Sequence, residues 1–273
     1  MTLTTSPNLS HHYRSLFISD LHLGAKACRS DRILDFLKWN TAETIYLVGD
    51  VFDNPRISGL GNTMADDAVV KSLIAKASNG QRIVYIAGNH DNLSRQACSN
   101  FLGSVEILDW LIHLTADGQR FLVIHGDCFD MVVQHAKWLT TLGRHIDHAI
   151  RHLNDILNRA RRSRGMHDWS MMKTITARMN FLVTRGEPFT RRVTVLVDEH
   201  AANGIICGHF HSPEIHQKFG IVYANCGDWL DNCTAIGEND DGQLHVLSWT
   251  TPDVQPAKMQ VQSVTEAVHG LRA

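Results

Sequence analysis

Ile45-Tyr46-Leu47-Val48-Gly49-Asp50-Val51-Phe52-Asp53 reads as a buried strand that stops at a glycine and then releases carboxylates. The apolar run is too short for a helix, is rich in β-branched and aromatic residues, and ends in a turn signal. The same design recurs along the chain. Leu16-Phe17-Ile18 runs into Ser19-Asp20, and Ile83-Val84-Tyr85-Ile86 runs into Gly88-Asn89-His90-Asp91. Phe121-Leu122-Val123-Ile124 runs into His125-Gly126-Asp127, and Ile205-Ile206-Cys207 into Gly208-His209. Asp117-Gly118, between Leu111–Leu114 and Arg120–Ile124, predicts a hairpin. Helical spacing puts Val69, Val70, Leu73, Ile74 and Ala77 on one face, and Ser30 is placed to cap a helix carrying Ile33, Leu34 and Leu37. Late in the chain, Ile221–Ala224, Thr234–Glu238 and Leu244–Trp249 follow one another as strands. That order predicts a sheet-rich α/β sandwich rather than a simple doubly wound sheet.

The chain has 273 residues, 44% of them hydrophobic and 20% charged, which is ordinary for a globular protein with a sizeable core. We expect one domain over residues 1–273, interrupted at 130–202 by a helical insertion. Within it, Ile146, Ala149, Ile150, Leu153, Ile156, Leu157 and Ala160 share one helical face. Further helical patterns lie around Trp169–Val183 and Pro188–Ala201, and Pro188 suits a first turn. Residues from Thr251 onward carry little pattern. The formal net charge of −2 argues against a uniformly basic surface. Between Cys128 and Arg192, however, twelve Lys/Arg face five acids, a local +7 that leaves −9 for the rest. Such asymmetry suggests an anionic partner for that segment, although solvated helical surfaces also carry charge.

The six cysteines form no C-x-x-C pair and read as small buried residues of a reducing compartment. Met1 to Ser10 lacks the basic start and apolar run of a signal peptide, and no stretch approaches the roughly 18 apolar residues of a membrane span. The expectation is a cytoplasmic protein, free or held peripherally on the inner face of the membrane.

Five polar clusters follow the strand-like runs: Asp20-Leu21-His22, Gly49-Asp50-Val51-Phe52-Asp53, Gly88-Asn89-His90-Asp91, His125-Gly126-Asp127 and Gly208-His209-Phe210-His211. Strand C-terminal ends in α/β folds lie on one edge, where a site can converge. Carboxylates, a carboxamide and neutral imidazoles form a mixed oxygen and nitrogen donor set suited to manganese, iron, zinc or similar ions. If the chain is extended there, the i, i+2 spacing of Asp20 with His22 and of His209 with His211 points each pair to one side. Glycine beside the clusters lets the backbone turn and leaves room for ions and phosphate. Taken singly, an Asp after a strand is usually a turn residue and a His a satisfied core residue. Five in order point to a site.

This ordered set resembles the calcineurin-like metallophosphoesterase superfamily, whose pattern is D-x-H, G-D-x-x-D, G-N-H-D/E, H and G-H-x-H. The resemblance implies a four-layer αββα sandwich and two divalent metal ions, manganese first, with iron, zinc or cobalt also compatible. It implies that Asp20, His22, Asp50 and His211 hold one ion, and Asp50, Asn89, His125 and His209 the other, so that Asp50 bridges both. Two such ions activate a water and clamp the phosphoryl oxygens, so no Ser or Cys nucleophile is needed. His90 would donate a proton to the leaving oxygen, and Asp91 would orient the His90 ring. Asp53 could serve a ligand or a backbone turn.

Leu16–Gly24, Ile124–Asp127 and Tyr223-x-Asn225-x-Gly227-Asp228-Trp229 look like the UDP-2,3-diacylglucosamine diphosphatase group, which splits a lipid-linked pyrophosphate into lipid X and UMP. In that group a helical cap occupies the place of residues 130–202 here and holds acyl chains. By that resemblance Arg144, Arg151, Arg159, Arg162 and Trp169 would meet an anionic lipid or lipid-linked nucleotide at a membrane surface. Arg161, Arg164, Trp138, Met171 and Met172 could join them. The group usually has Arg in place of His90 and Glu in place of Asp53, so this chain looks like a side branch. That branch also includes phospholipase C enzymes that release diacylglycerol from glycerophospholipids. Two further readings are a soluble phosphodiesterase or nuclease, and a non-catalytic scaffold of the same fold. The basic segment has no aromatic stacking array, so no nucleic-acid partner is expected. The intact ligand positions argue against a scaffold.

Overall fold

Alternate residues of the central strands feed two different cores. In the computed structural model, which describes residues 11–25, 27–53, 64–89, 91, 105–129, 184 and 186–249, the chain divides into two compact units. One is Met1–Asp127 with Val193–Ala273, and the other is Cys128–Arg192, the same stretch that concentrates the basic residues. The elements are β1 (His11–Ile18), α1 (Ser30–Trp39), β2 (Asn40–Val48), α2 (Met64–Ser78), β3 (Arg82–Ile86), β4 (Glu106–Leu108), β5 (Trp110–Leu114) and β6 (Arg120–Ile124). After them come α3 (Glu187–Glu199), β7 (Gly204–Cys207), β8 (Glu214–Lys218), β9 (Ile221–Asn225), β10 (Thr234–Glu238) and β11 (Leu244–Ser248).

Six strands form one sheet in the order β11-β10-β1-β2-β3-β4, and five form another in the order β5-β6-β7-β9-β8. Strands β1 to β4 run parallel, as do β6, β7 and β9. Leu16, Ile18, Ile45, Leu47, Ile83 and Tyr85 pack with Ile33, Phe36 and Leu37 of α1 and with Val69, Val70 and Leu73 of α2. Phe17, Tyr46, Val48, Val84 and Ile86 instead meet Phe121, Val123, Ile206 and Ala224 of the other sheet. The period-2 alternation of a strand sends neighbours to opposite faces, and each fully buried large aliphatic contributes roughly 1.5–3 kcal/mol. Leu122 and Ile205, of the other parity, are buried too, as are Val193 and Val197 of α3. The result is a mixed α/β fold with two sheets packed face to face, consistent with the expected αββα sandwich.

The predicted hairpin is present, with Trp110–Leu114 registered antiparallel against Arg120–Ile124 and Gly118 at φ 83°. Strands β4 and β8 were not foreseen. Ser30 is also not the N-cap. It is the first residue of α1, Arg29 holds the cap position without a side-chain bond, and the Ser30 hydroxyl donates to Asp66 in the first turn of α2. Among the described residues, five cysteines are free, and no helix is long and apolar enough to cross a membrane. The expected helices over 146–160 and 169–183, and the tail from Thr251, lie outside the described residues.

Candidate metal centre

Both carboxylates and all four imidazoles expected as ligands are brought to one edge of the sandwich. Oxygen and nitrogen atoms of Asp20, His22 and His211 lie within 4.8 Å of one another, and so do those of Asp50, His125 and His209. Asp20 is wholly buried, and His22, Asp50 and His125 are buried as well. One oxygen faces both groups: Asp50 Oδ2 is 3.3 Å from His125 Nε2 and 4.0 Å from His22 Nε2. Asn89, the seventh expected ligand, has Oδ1 3.2 Å from His125 Nε2.

The route by which i, i+2 pairs reach the site differs from the expectation. Asp20 and His22 are not extended: their φ values are 53° and 48°, and Asp50, His209 and His211 lie at 51°, 67° and 51°. Five of the eight non-glycine residues with positive φ among those described are thus expected ligands. Such backbones cost energy for residues with a Cβ, persist only when surroundings over-determine them, and cluster at functional sites. Backbone hydrogen bonds supply that support. Asp20 N–H donates to Gly49 O (3.1 Å), His22 N–H to Asp50 O (2.9 Å) and Leu23 N–H to Val51 O (2.9 Å), so the segments after β1 and β2 stay paired through the bend.

Two glycines are required by close approach. Gly49 adopts φ 77°, and a Cβ on it would run into the His125 ring. A Cβ on Gly208 would strike the Ser19 hydroxyl and the Asp20 carboxylate.

Acid–base chemistry agrees with a cation site. Burial pushes the Asp20 carboxyl up, but the close His211 imidazole and the His125 charge outweigh it and hold Asp20 below its ordinary value. Burial pulls His125 down, yet the Asp50 hydrogen bond and the Asp20 and Asp50 charges push it up to about 9. His211 is likewise raised, against burial, by Asp20.

The donor atoms fit divalent ions. His125 Nδ1 is 3.1 Å from the Val48 carbonyl, which can only accept, so Nδ1 carries a proton. In the neutral ring, Nε2 would then aim a lone pair at two oxygens, Asp50 Oδ2 and Asn89 Oδ1. A cation held by these donors would turn that repulsion into attraction, and the Val48 carbonyl would fix the tautomer. Asp20 Oδ1 is buried without a hydrogen bond of good geometry, 3.1 Å from His211 Nε2 and 3.8 Å from His22 Nε2.

Asp91 is placed where it ties two loops together. Its Oδ1 accepts from Phe52 N–H (3.0 Å) and its Oδ2 from Gly88 N–H (2.9 Å). Burial raises its pKa against those bonds. Asp53 N–H donates to Leu23 O at 3.0 Å. His90, Arg144, Arg151, Arg159, Arg162 and Trp169 lie outside the described residues. Sequence reasoning gave no role to Ser19, whose hydroxyl hydrogen-bonds Asp20 Oδ2 and lies 2.7 Å from Val48 O. It also gave none to Trp229, whose N–H donates to Asp20 O at 3.1 Å. Adjacency to Asp20 was the available signal for Ser19. A backbone donor such as Trp229 leaves none.

The family model described as calcineurin-like phosphoesterase matches residues 13–213. The chain belongs to that family. Its members are metal-dependent phosphoric ester hydrolases, so this phosphoesterase is an enzyme of that class. It is 29% identical over 240 residues to the UDP-2,3-diacylglucosamine hydrolase of Haemophilus influenzae strain PittGG, covering 83% of this chain and 95% of that one. To the UDP-2,3-diacylglucosamine hydrolase of Aliivibrio fischeri strain MJ11 it is 28% identical, covering 82% and 94%. Among solved structures, Yfce, a phosphoesterase from E. coli, is similar at 16% identity and a TM-score of 0.45, covering 90% of this chain and 99% of that one.

Proposed function

We propose that this phosphoesterase hydrolyses a P–O bond of an anionic, lipid-linked substrate at a two-metal centre, its best-supported substrate being UDP-2,3-diacylglucosamine, cleaved to lipid X and UMP. The position of Asp50 Oδ2, within reach of an imidazole from each donor group, carries the two-metal reading. The names of the curated relatives support the substrate. When bound, two divalent cations lower the pKa of a water and neutralise charge on the phosphoryl oxygens, and manganese suits these donors.

The chain's own residues do the rest. Asp20, His22 and His211 serve one ion, Asn89, His125 and His209 the other, and Asp50 both. Burial of Asp20, Asp50 and His125 lowers the local dielectric and strengthens every charge interaction there. His90, next in the chain to Asn89, holds the proton for the leaving oxygen, and Asp91 orients it. Residues 130–202 supply a helical cap in which Arg144, Arg151, Arg159 and Arg162 meet phosphate or headgroup and Trp169 meets acyl chain. Basic and aromatic side chains of that kind support action at a membrane surface.

A side-by-side assay of Mn²⁺-loaded protein on UDP-2,3-diacylglucosamine, phosphatidylglycerol, a cyclic nucleotide and single-stranded DNA tests the reading. UMP release from the first, well above turnover of the others, is expected. Release of diacylglycerol instead would move the assignment to a phospholipase C. Turnover confined to the cyclic nucleotide or DNA would remove the lipid from it.

A further inference from the structure

The end of β9 and the turn after it reach both donor groups from behind. Asn225 Nδ2 donates to Gly208 O (2.7 Å), fixing the carbonyl that precedes His209, and Gly227 N–H donates back to Asn225 Oδ1 (2.9 Å). Trp229 N–H holds the Asp20 carbonyl. Three residues on, Asn232 Nδ2 donates to the His211 carbonyl at 2.9 Å. His211 is a residue in the left-handed region, so its carbonyl direction is set against the chain's own preference.

Asn232 is itself held. Its Nδ2 also reaches Asp228 Oδ2, while Asp228 Oδ1 accepts from Leu230 N–H (2.8 Å), Asp231 N–H (2.6 Å) and Asn232 N–H (3.3 Å). Asp228 is fully buried, and its Oδ2 lies 3.9 Å from His211 Nδ1, on the ring edge opposite the nitrogen that faces Asp20. One short turn therefore grips His211 at its backbone through Asn232 and faces its ring with a carboxylate. In the other group, the Val48 carbonyl faces His125 Nδ1 at 3.1 Å.

We infer that Asn232 is a positioning residue for one metal site only, that of Asp20, His22 and His211, which it pre-organises by clamping the His211 carbonyl. The inference rests on the two-metal reading and adds an asymmetry to it. The clamp stiffens a residue whose backbone would relax to negative φ if released, so its loss costs affinity through re-ordering of His211 rather than through a lost donor. Asn232 is exposed, so replacing it leaves the core intact.

Calorimetric titration of chelator-stripped full-length protein with Mn²⁺ tests this. Wild type is expected to show two binding events, and His211→Ala identifies which belongs to the clamped group. Asn232→Ala should weaken that event about tenfold, at the low end of outer-shell effects, and leave the other unchanged. Asn232→Leu, nearly the same size but without the N–H donor, should do likewise. The melting temperature of the metal-free variants should match wild type, which separates positioning from a general loss of stability. Equal weakening of both events, or none, would overturn the clamp. Wild-type protein that takes up no Mn²⁺ would instead overturn the metal-centre reading, and the clamp with it.

Discussion

Asp20 and Glu238 are both completely buried carboxylates, yet their surroundings are opposite in kind. Glu238, on β10, has its charge answered by the protein. Its Oε2 accepts from His113 Nε2 (2.8 Å), and its Oε1 from Arg14 Nη1 (2.6 Å) and Ala116 N–H (2.9 Å). His113 in turn has Nδ1 3.0 Å from the Tyr46 hydroxyl, linking the two sheets. None of these residues has positive φ. Around Asp20, by contrast, the backbone is left-handed, and one carboxylate oxygen faces imidazoles without a well-formed bond. A buried charge with a complete set of donors stabilises the fold. One left with imidazoles at coordination range, on strained backbone, is arranged for a cation.

Substitutions at the two places therefore fail differently. The largest effect belongs to Asp50→Ala, which removes the oxygen common to both donor groups. Hydrolysis of bis-p-nitrophenyl phosphate with Mn²⁺ should fall by at least about 1,000-fold, beyond the roughly 10–100-fold typical of outer-shell partners, while unfolding stays cooperative. Activity within tenfold of wild type would erase the distinction.

Glu238→Ala should behave in reverse. Breaking a buried pair leaves Arg14 and His113 unanswered and should cost about 3 kcal/mol in denaturant unfolding, at the low end for such pairs because Arg14 is about a third exposed and can return to water. Phosphoesterase activity of the folded fraction should persist. A smaller effect sharpens the comparison. Burial pushes the Glu238 carboxyl up, but the His113 hydrogen bond and charge outweigh it and hold the pKa below its ordinary 4.5. A depressed carboxyl stabilises the fold fully above its unfolded pKa and loses that contribution as pH falls through the folded value. The stability gap between wild type and Glu238→Gln should therefore be constant above about pH 5 and narrow on acidification below 4.5. A gap that widens there would reverse the sign of the argument.

The strands that build the site were legible because each is a short, continuous apolar run ended by glycine or aspartate. Strands β4 and β8 were not. Glu106-Ile107-Leu108 is three residues long, and Glu214-Ile215-His216-Gln217-Lys218 carries charge at both ends, as edge strands do when one side meets water. The donor residues were legible because their chemistry is in the side chains. Their left-handed backbones were not, since φ is imposed by pairing between the segments after β1 and β2. Nor could Asn232 be read as a clamp, because it acts on a carbonyl, and every residue has one. Ser30 misled for a related reason: its hydroxyl found Asp66, 36 positions away, before it found its own helix.

The most direct test of the shared-aspartate account is anomalous diffraction from crystals of the full chain soaked in Mn²⁺. Two peaks about 3.5–4 Å apart, one on each side of the Asp50 carboxylate, are predicted. A single peak that Asp50 does not touch, or two peaks with no common protein oxygen, would contradict it.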